Sequence, residues 1–400
     1  MNARVAGRVA GIEESATYVV LEMVQALRAQ GVSVLDLGGG EPDFATAGHI
    51  VAEAAAAMEE GFTHYSPSRG LPALREAIAD KLRADNGIDV DPRTDVIVTP
   101  SAKHALFISL MTLLDTGDEI LVPTPSWVSY ASMAELLGAR AVPVPLRGDE
   151  GFRVGYERLA PYVTDRTRAI LVNTPNNPTG RALRADEAAE LASFAIDHDL
   201  VIVTDEIYEK IRYDGVPHVS LASLPGCAER TLTVNGFSKA YAMTGWRLGY
   251  VAGPTDIVAE MVKAQQHTVG CAGSFVQRGA IAALRSSQDF VHEMVEEYAA
   301  RRRLVVDGLN ALPGISCAPP DGSFYAFPDI RGTGVDDSAA FTAWLLREAG
   351  VAVTPGVAFG PGGEGHVRLS FATSQAVIGE ALDRMAAALA KGAPTAALSG

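Results

Sequence analysis

Short apolar runs recur along the first two thirds of the chain, separated by longer segments of mixed polarity. Buried strands of a parallel sheet have this continuous apolar character, and each parallel connection needs a crossover that is usually a helix. The pattern therefore predicts an α/β fold with a largely parallel sheet flanked by helices. The predicted strands begin at Asp95, Asp118, Arg168, Leu200, Thr231 and Leu248.

Helical periodicity appears on both sides of this strand-rich region. Segment 71–83 places Leu71, Leu74 and Ile78 on one face, and segment 21–29 is a second helix candidate. Segment 289–309 reads as one long charged helix, and its run of three arginines at 301–303 is predicted to be a solvated face.

The C-terminal part alternates short strands and helices from Ala311 to the RLSFA segment that begins at Arg368. We therefore expect a smaller α+β domain beside the large one. The predicted division is an N-terminal arm and small-domain segment at 1–48, a large domain at 49–288, a small domain at 289–390 and a tail at 391–400.

Composition excludes several classes of protein. The 400 residues are 48% hydrophobic with a formal net charge of −15, so the protein is globular and repels nucleic acid and anionic membranes. Cys227, Cys271 and Cys317 are odd in number and far apart, which fits a reducing, cytoplasmic setting. The N-terminus lacks the apolar run of a signal peptide, and no stretch reaches the length of a membrane span. The eight histidines have no metal-ligand spacing, so no metal is expected.

Ligands of open parallel sheets bind outside the carboxyl ends of the strands. A site is therefore expected among the polar and aromatic residues that follow the apolar runs, namely Ser101, Ala102, Lys103, Trp127, Asn177, Asp205, Tyr208 and Lys239.

The strongest chemical signal is Lys239, which follows a strand and precedes Arg247 by eight residues. A lysine that forms a Schiff base beside a basic phosphate anchor is the arrangement that pyridoxal phosphate needs. Asp205 is placed to keep the pyridine nitrogen protonated, although a lone aspartate after a strand is commonly a helix N-cap. Tyr208, one helical turn later, favours the functional reading because its hydroxyl suits the phenolic oxygen of the cofactor.

The remaining candidates each have a structural alternative. Asn177 offers an amide donor, but its NTPNNPTG context is also typical of a turn. Trp127 could stack on the cofactor ring or simply pack in a loop. Ser101 and Ala102 precede an apolar helix, whose first N–H groups form an anion site, although any helix can begin with serine.

Taken together, these motifs resemble the class I/II aminotransferases of fold type I, and within them the prokaryotic-type aspartate aminotransferases. The resemblance runs from about residue 10 to 390. Its motifs are GGGEPDF from Gly38, THYSPSRGLPALREAIA, NTPNNPTG, TDEIYE, SKAYAMTGWRLGY and HVRLSFATS.

The resemblance implies roles for individual residues. Lys239 would bind pyridoxal 5′-phosphate covalently, Asp205 would pair with the ring nitrogen, and Trp127 would stack on the ring. Tyr208 and Asn177 would hold the ring oxygen. The phosphate would be bound by Ser101, Ala102 and Arg247, and by Tyr65 from the partner subunit, so a homodimer with shared active sites is expected. Arg368, aided by the backbone of Gly40, would bind the α-carboxylate of the substrate, with Trp127 and Asn177 also at the substrate.

One position departs from the family pattern. Relatives often have a hydroxyl residue three positions before the lysine, where this chain has Gly236. The phosphate site could therefore lack one donor.

The implied reaction moves an amino group from an L-amino acid to a 2-oxo acid by a ping-pong mechanism, with Lys239 transferring the Cα proton. Lys103 could bind the distal carboxylate of aspartate or glutamate, or only add positive potential to the phosphate site. An acidic substrate is the hypothesis.

Other activities stay open at this point. Aminotransferases of different or broad specificity, and lyases or synthases of specialised metabolism, share the same fold and cofactor residues. A transcription regulator would need a DNA-binding extension and basic surface, and a dinucleotide oxidoreductase would need a G-x-G-x-x-G motif. The sequence has none of these.

Overall fold

The computed structural model describes residues 4–12 and 16–392, with side chains omitted for 16–21. The first and last predicted segments, at 1–48 and 391–400, lie partly outside this described part. Among the described residues, no helix is long and apolar enough to cross a bilayer.

A seven-stranded sheet forms the centre of the fold. Its strands are β2 (Val96–Thr99), β3 (Glu119–Thr124), β4 (Arg140–Pro145), β5 (Thr167–Asn173), β6 (Val201–Asp205), β7 (Thr231–Gly236) and β8 (Gly249–Ala252), after a short β1 (Leu35–Asp36) outside this sheet. The order across the sheet is β2-β8-β7-β6-β5-β3-β4, and β8 pairs antiparallel to both of its neighbours while the other pairs between β7 and β4 are parallel. The predicted largely parallel α/β sheet is confirmed.

The edge strand β4 was not among the six predicted strands. Its sequence RAVPVP contains Pro143 and Pro145 and alternates between exposed and buried positions. Proline cannot donate to a strand ladder and is therefore confined mainly to edge strands and bulges. The apolar-run criterion consequently misses this strand.

Helices cover the sheet and build the C-terminal part. They are α1 (Gly7–Ala10), α2 (Ala16–Ala29), α3 (Gly48–Glu59), α4 (Pro72–Lys81), α5 (Ala102–Leu113), α6 (Ser129–Leu136), α7 (Tyr156–Leu159), α8 (Ala185–Asp197), α9 (Thr255–Thr268), α10 (Ser274–Arg285), α11 (Asp289–Asn310), α12 (Ser338–Ala349) and α13 (Gln375–Leu389). The helices predicted at 21–29, 71–83 and 289–309 are present as α2, α4 and α11. A π-helical turn at Leu82–Asn86 extends α4.

The C-terminal part has its own sheet and core. β9 (Tyr325–Ala326), β11 (Thr354–Pro355) and β12 (Val367–Ser370) form a three-stranded antiparallel sheet, while β10 (Val351–Ala352) pairs with β1. The hydrophobic core of the C-terminal part is formed mainly by residues after 289, and Leu37 and Tyr208 also pack into it. The division at 48, 288 and 390 stays a prediction.

The prediction that the arginine run at 301–303 is a solvated face is wrong for two of its three members. Arg301 is 5% exposed and Arg302 is 8% exposed, whereas Arg303 is exposed. Arg301 pairs with Asp43 at 2.7 Å and with Glu297 at 2.8 Å. Arginine can lie inside when its charge is paired in this way, which a local charge pattern does not reveal.

Candidate active site

The carboxyl edge of the main sheet opens into a cavity of about 650 Å³. The loop between β7 and β8 enters this cavity because an antiparallel hairpin returns the chain to the same edge of the sheet. Lys239 lies three residues after the end of β7, and Arg247 lies two residues before β8. The hairpin explains how residues eight apart in sequence both line the cavity.

A second loop presents the start of α5 to the cavity. Ser101 follows β2, adopts a positive φ of 109° and accepts a hydrogen bond from the N–H of His104. A non-glycine residue with this φ is strained, and such strain is concentrated at functional sites. The first N–H groups of α5 form an anion site.

Two glycines determine the close packing around this loop. A Cβ at Gly249 would lie 2.3 Å from the backbone nitrogen of Ala102. A Cβ at Gly236 would lie 2.9 Å from the carbonyl oxygen of Leu248. Because the backbone crowds Gly236, a hydroxyl residue at this position would require the hairpin to shift. Ser238 lines the cavity instead.

The amine of Lys239 donates a hydrogen bond to the carbonyl oxygen of Gly40. Burial lowers the pKa of Lys239 to about 8, although Glu41 and Asp205 act in the opposite direction. Among the described residues, no carboxylate forms a salt bridge with this amine. A lysine with a lowered pKa is a better nucleophile near neutral pH.

Asp205 ends β6 and is buried, with 4% exposure. Its Oδ2 accepts a hydrogen bond from the hydroxyl of Tyr130 at 2.7 Å, and its Oδ1 accepts one from the N–H of Ile207 at 3.2 Å. The side chain of Asn173 on neighbouring β5 donates to the Asp205 carbonyl oxygen at 2.8 Å. These bonds fix the carboxylate at the base of the cavity.

Tyr208 is buried, and its hydroxyl lies 3.1 Å from the hydroxyl of Tyr325. Burial raises the pKa of Tyr208 well above its ordinary value, and Tyr325 adds to this effect. Tyr208 is therefore a neutral hydrogen-bonding group at physiological pH.

Arg368 on β12 is 1% exposed. Its guanidinium group donates to the Asn177 side-chain oxygen at 2.9 Å and to the carbonyl oxygen of Gly38 at 2.7 Å, and it lies 4.4 Å from the Tyr325 ring centroid. Within the described part of the chain no carboxylate pairs with it, and its Nε has no hydrogen-bond partner. A buried cation without an anion is costly, so this site suits a carboxylate ligand.

Trp127 and Lys103 border the cavity on the side of α5 and α6. The Lys103 ammonium lies 4.9 Å from the Trp127 ring centroid. Burial lowers the pKa of Lys103, and the neighbouring charge of Arg247 lowers it further. Lys103 and Arg247 therefore place positive charge together on one side of the cavity.

The structure brings nearly all of the predicted site residues together. The cavity is lined by Gly40, Ser101, Ala102, Lys103, Trp127, Asn177, Asp205, Tyr208, Lys239, Arg247 and Arg368. Tyr65 does not line it and is 97% exposed.

Sequence reasoning missed several lining residues. These are Asp36, Glu41, Tyr130, Asn173, Thr244 and Tyr325. Asn173 ends an apolar run, so the rule about strand ends could have found it. Tyr325 lies in strand β9, which has only two residues and is therefore too short to be recognised as an apolar run in the sequence.

A buried ionic cluster lies beside the segment that carries Asp205 and Tyr208. Glu206 accepts from His218 at 2.7 Å, Asn86 donates to Glu209 at 2.7 Å, and Lys81 pairs with Glu209. The carboxylates and imidazole are close enough together to hold a metal ion, but the Lys81 ammonium already supplies a cation to them. We assign the cluster a structural role.

The cavity fits the cofactor that the sequence suggests. It combines a lysine of lowered pKa, a helix start and Arg247 for a phosphate, and a buried carboxylate for a basic ring nitrogen. The Arg368 guanidinium, which has no carboxylate partner among the described residues, is chemically suited to bind a carboxylate. Together these features are suited to covalent amine chemistry on a ligand that bears a carboxylate.

Comparison with known proteins gives the family. The family model described as aminotransferase class I and II matches residues 32–385. The chain belongs to this family and is a transaminase of the aspartate aminotransferase type.

The similar proteins cover nearly the whole chain. An aspartate aminotransferase of Musicola paradisiaca is 51% identical over 385 residues, covering 96% of both chains. An aromatic-amino-acid aminotransferase 2 of Thermococcus litoralis is 46% identical over 360 residues, covering 89% of this chain and 92% of the relative. The structure of Thermus thermophilus aspartate aminotransferase with maleate matches with a TM-score of 0.92 at 40% identity, covering 96% of this chain and 99% of that one.

Proposed function

We propose that this protein uses pyridoxal 5′-phosphate to transfer the amino group of L-aspartate or L-glutamate to a 2-oxo acid by a ping-pong mechanism. The observation that carries the proposal is the pairing, in one cavity, of Lys239 with Arg368. Lys239 has an amine of lowered pKa, and Arg368 has a buried guanidinium group without a carboxylate partner among the described residues.

The chain offers a group for each part of the cofactor. Ser101, Ala102 and Arg247 would hold its phosphate, and Trp127 would lie against its ring. Asp205 would pair with the ring nitrogen, and Lys239 would bind it covalently. When bound, pyridoxal phosphate supplies an electron sink for the substrate Cα.

Substrate binding and proton transfer fall to the protein. Arg368 would bind the α-carboxylate bidentately. The side-chain oxygen of Asn177 accepts a hydrogen bond from Arg368, so the NH₂ group of Asn177 would be the part that donates to the cofactor or the substrate. The freed amine of Lys239 would take the proton from the substrate Cα and deliver it to the C4′ carbon of the cofactor, and its pKa of about 8 suits both steps near neutral pH.

An acidic substrate is supported by Lys103, a cation that lines the cavity beside Trp127. The similar structure from Thermus thermophilus is that of an aspartate aminotransferase with maleate, which is a dicarboxylate. A second candidate is an enzyme of aromatic or broad specificity, favoured by the Thermococcus litoralis relative.

Steady-state kinetics would separate these candidates. With L-aspartate and 2-oxoglutarate varied together, the proposal expects oxaloacetate and glutamate in equal amounts and parallel double-reciprocal lines. A higher kcat/KM for phenylalanine than for aspartate would favour aromatic specificity.

We also propose a homodimer in which Tyr65 reaches the partner's phosphate site. Tyr65 is 97% exposed in the single chain, and an exposed aromatic residue of this kind supports the proposal that a partner subunit covers it. Mixing a Lys239→Ala variant with a Tyr65→Ala variant tests this. Shared sites would restore one intact site in each mixed dimer, whereas no regain of activity would contradict sharing. A cytoplasmic location is proposed from the scattered cysteines.

A further inference from the structure

Tyr130 lies in the first turn of α6 and is 1% exposed. Its hydroxyl donates a hydrogen bond of 2.7 Å to Oδ2 of Asp205. A hydroxyl has a single proton to donate, and an ionised carboxylate oxygen is a pure acceptor. The contact therefore favours the charged form of Asp205.

This hydroxyl is one of two donors to the Asp205 carboxylate. The other is the backbone N–H of Ile207, at 3.2 Å from Oδ1. No arginine, lysine or histidine of the described residues forms a salt bridge with Asp205. Burial raises the pKa of Asp205 to about 6, even though the two hydrogen bonds act in the opposite direction. Tyr130 is thus the only side-chain donor to the Asp205 carboxylate within the described part of the chain.

The same tyrosine also contacts the residue expected at the face of the cofactor ring. The rings of Trp127 and Tyr130 meet edge to face, with centroids 5.4 Å apart and an interplanar angle of 86°. The Tyr130 N–H donates to the Trp127 carbonyl oxygen at 3.1 Å. One side chain therefore braces two groups that border the space for the ring.

We infer that Tyr130 is a positioning residue that holds Asp205 as a carboxylate aimed at the ring nitrogen of the bound cofactor, so that the proton between them stays on the ring. The inference rests on the proposed cofactor. It extends the site by a residue that would act through Asp205 and not on the substrate.

A merely structural tyrosine would also stabilise the cavity, so the test must separate packing from charge. Two probes allow this when they bind to the full chain freed of cofactor. One is pyridoxamine 5′-phosphate, which cannot form the covalent bond to Lys239. The other is its 1-deaza analogue, in which C–H replaces the ring nitrogen, so that no proton can be shared with Asp205.

The variant is Tyr130→Phe, which keeps the ring against Trp127 and removes only the hydroxyl. Because a hydrogen bond to a charged group is lost, pyridoxamine 5′-phosphate should bind roughly tenfold to a hundredfold more weakly, measured by titration calorimetry. The 1-deaza analogue should bind the variant and the wild type equally well. Tyr298→Phe is the matched control, because Tyr298 is fully buried and its hydroxyl has no hydrogen-bond partner among the described residues. It should change neither affinity.

Equal weakening for both probes would reduce Tyr130 to a packing residue and overturn the inference, as would unchanged binding of both. Thermal melting of the cofactor-free variants shows whether each is folded. If the wild type binds neither probe, the proposed cofactor itself fails, and this outcome is distinct from a failure of the Tyr130 inference alone.

Discussion

The guanidinium group of Arg368 donates a 2.9 Å hydrogen bond to the side-chain oxygen of Asn177. This contact joins the small antiparallel sheet to the loop after β5 of the main sheet. It orients the Asn177 amide and leaves the guanidinium with an unpaired Nε. The proposed subsite for the substrate carboxylate is therefore built from both sheets.

Replacing Arg368 by lysine should remove bidentate carboxylate binding while keeping a positive charge. We expect kcat/KM for aspartate to fall roughly 10²- to 10⁴-fold, because two charge-assisted hydrogen bonds are lost or weakened. Arg303→Lys, at an exposed position on α11, is the control and should leave kcat/KM unchanged. A variant of Arg368 with nearly normal kcat/KM would place the α-carboxylate elsewhere.

Lys103 should determine the preference for an acidic substrate. Lys103→Met is expected to lower kcat/KM for aspartate about tenfold or more relative to alanine, because only aspartate has a distal carboxylate to lose its charged partner. The ratio of the two kcat/KM values is the readout. Lys263→Met, on an exposed lysine of α9, is the control. An unchanged ratio would mean that Lys103 only adds positive potential at the phosphate site.

Gly249 should be essential for the shape of the phosphate site. In Gly249→Ala the new Cβ would meet the Ala102 nitrogen at 2.3 Å and the Ser101 carbonyl carbon at 2.6 Å. We expect a loss of about 1–3 kcal/mol in the free energy of unfolding and weaker binding of pyridoxamine 5′-phosphate. Gly379→Ala on α13, where a Cβ meets nothing within 4 Å, should be neutral or slightly stabilising. Full cofactor affinity in Gly249→Ala would contradict this account of the loop.

The apolar runs and the residues that follow them could be predicted because a buried parallel strand leaves a local signal in sequence. Lys239, Asp205 and Asn177 all follow such runs. Tyr130 and Tyr325 could not be found in this way. One lies inside a helix and the other in a two-residue strand, and both reach the cavity through contacts between distant parts of the chain.

The burial of Arg301 and Arg302 likewise could not be predicted from local sequence. The local sequence around Arg301 is strongly charged, which suggests solvent. Its partner Asp43 lies 258 residues earlier, so the compensating charge is invisible to any local pattern. The missed edge strand β4 differs, because there the local signal was present but was weakened by its prolines.

The buried ion pair between Lys81 and Glu209 should contribute strongly to stability. In Lys81→Met the Glu209 carboxylate stays buried without its cation, and we expect the free energy of unfolding to fall by about 3–5 kcal/mol in urea titrations. Breaking the exposed Lys263–Glu260 pair by Lys263→Met should cost at most about 1 kcal/mol. Similar losses in both variants would contradict the structural role of the buried cluster.

The pH dependence of this cluster follows from Glu209. Burial would raise its pKa, but Lys81, His218 and Asn86 together hold the pKa of Glu209 at about 2, below the ordinary value of 4.5. A lowered pKa in the folded state means stability that is present above about pH 4.5 and is lost as the pH falls toward 2. The stability advantage of wild type over Glu209→Gln should therefore shrink across that range, and a difference independent of pH would contradict it.

The central claim is that Lys239 and Arg368 serve one amino-transfer reaction, and an absorbance spectrum tests it most directly. The purified protein with pyridoxal 5′-phosphate is recorded before and after addition of L-aspartate, without any 2-oxo acid. We predict that the visible band of the lysine-bound cofactor disappears, that the band of pyridoxamine 5′-phosphate appears, and that one oxaloacetate forms for each site. A visible band unchanged by aspartate or any other amino acid would contradict the claim.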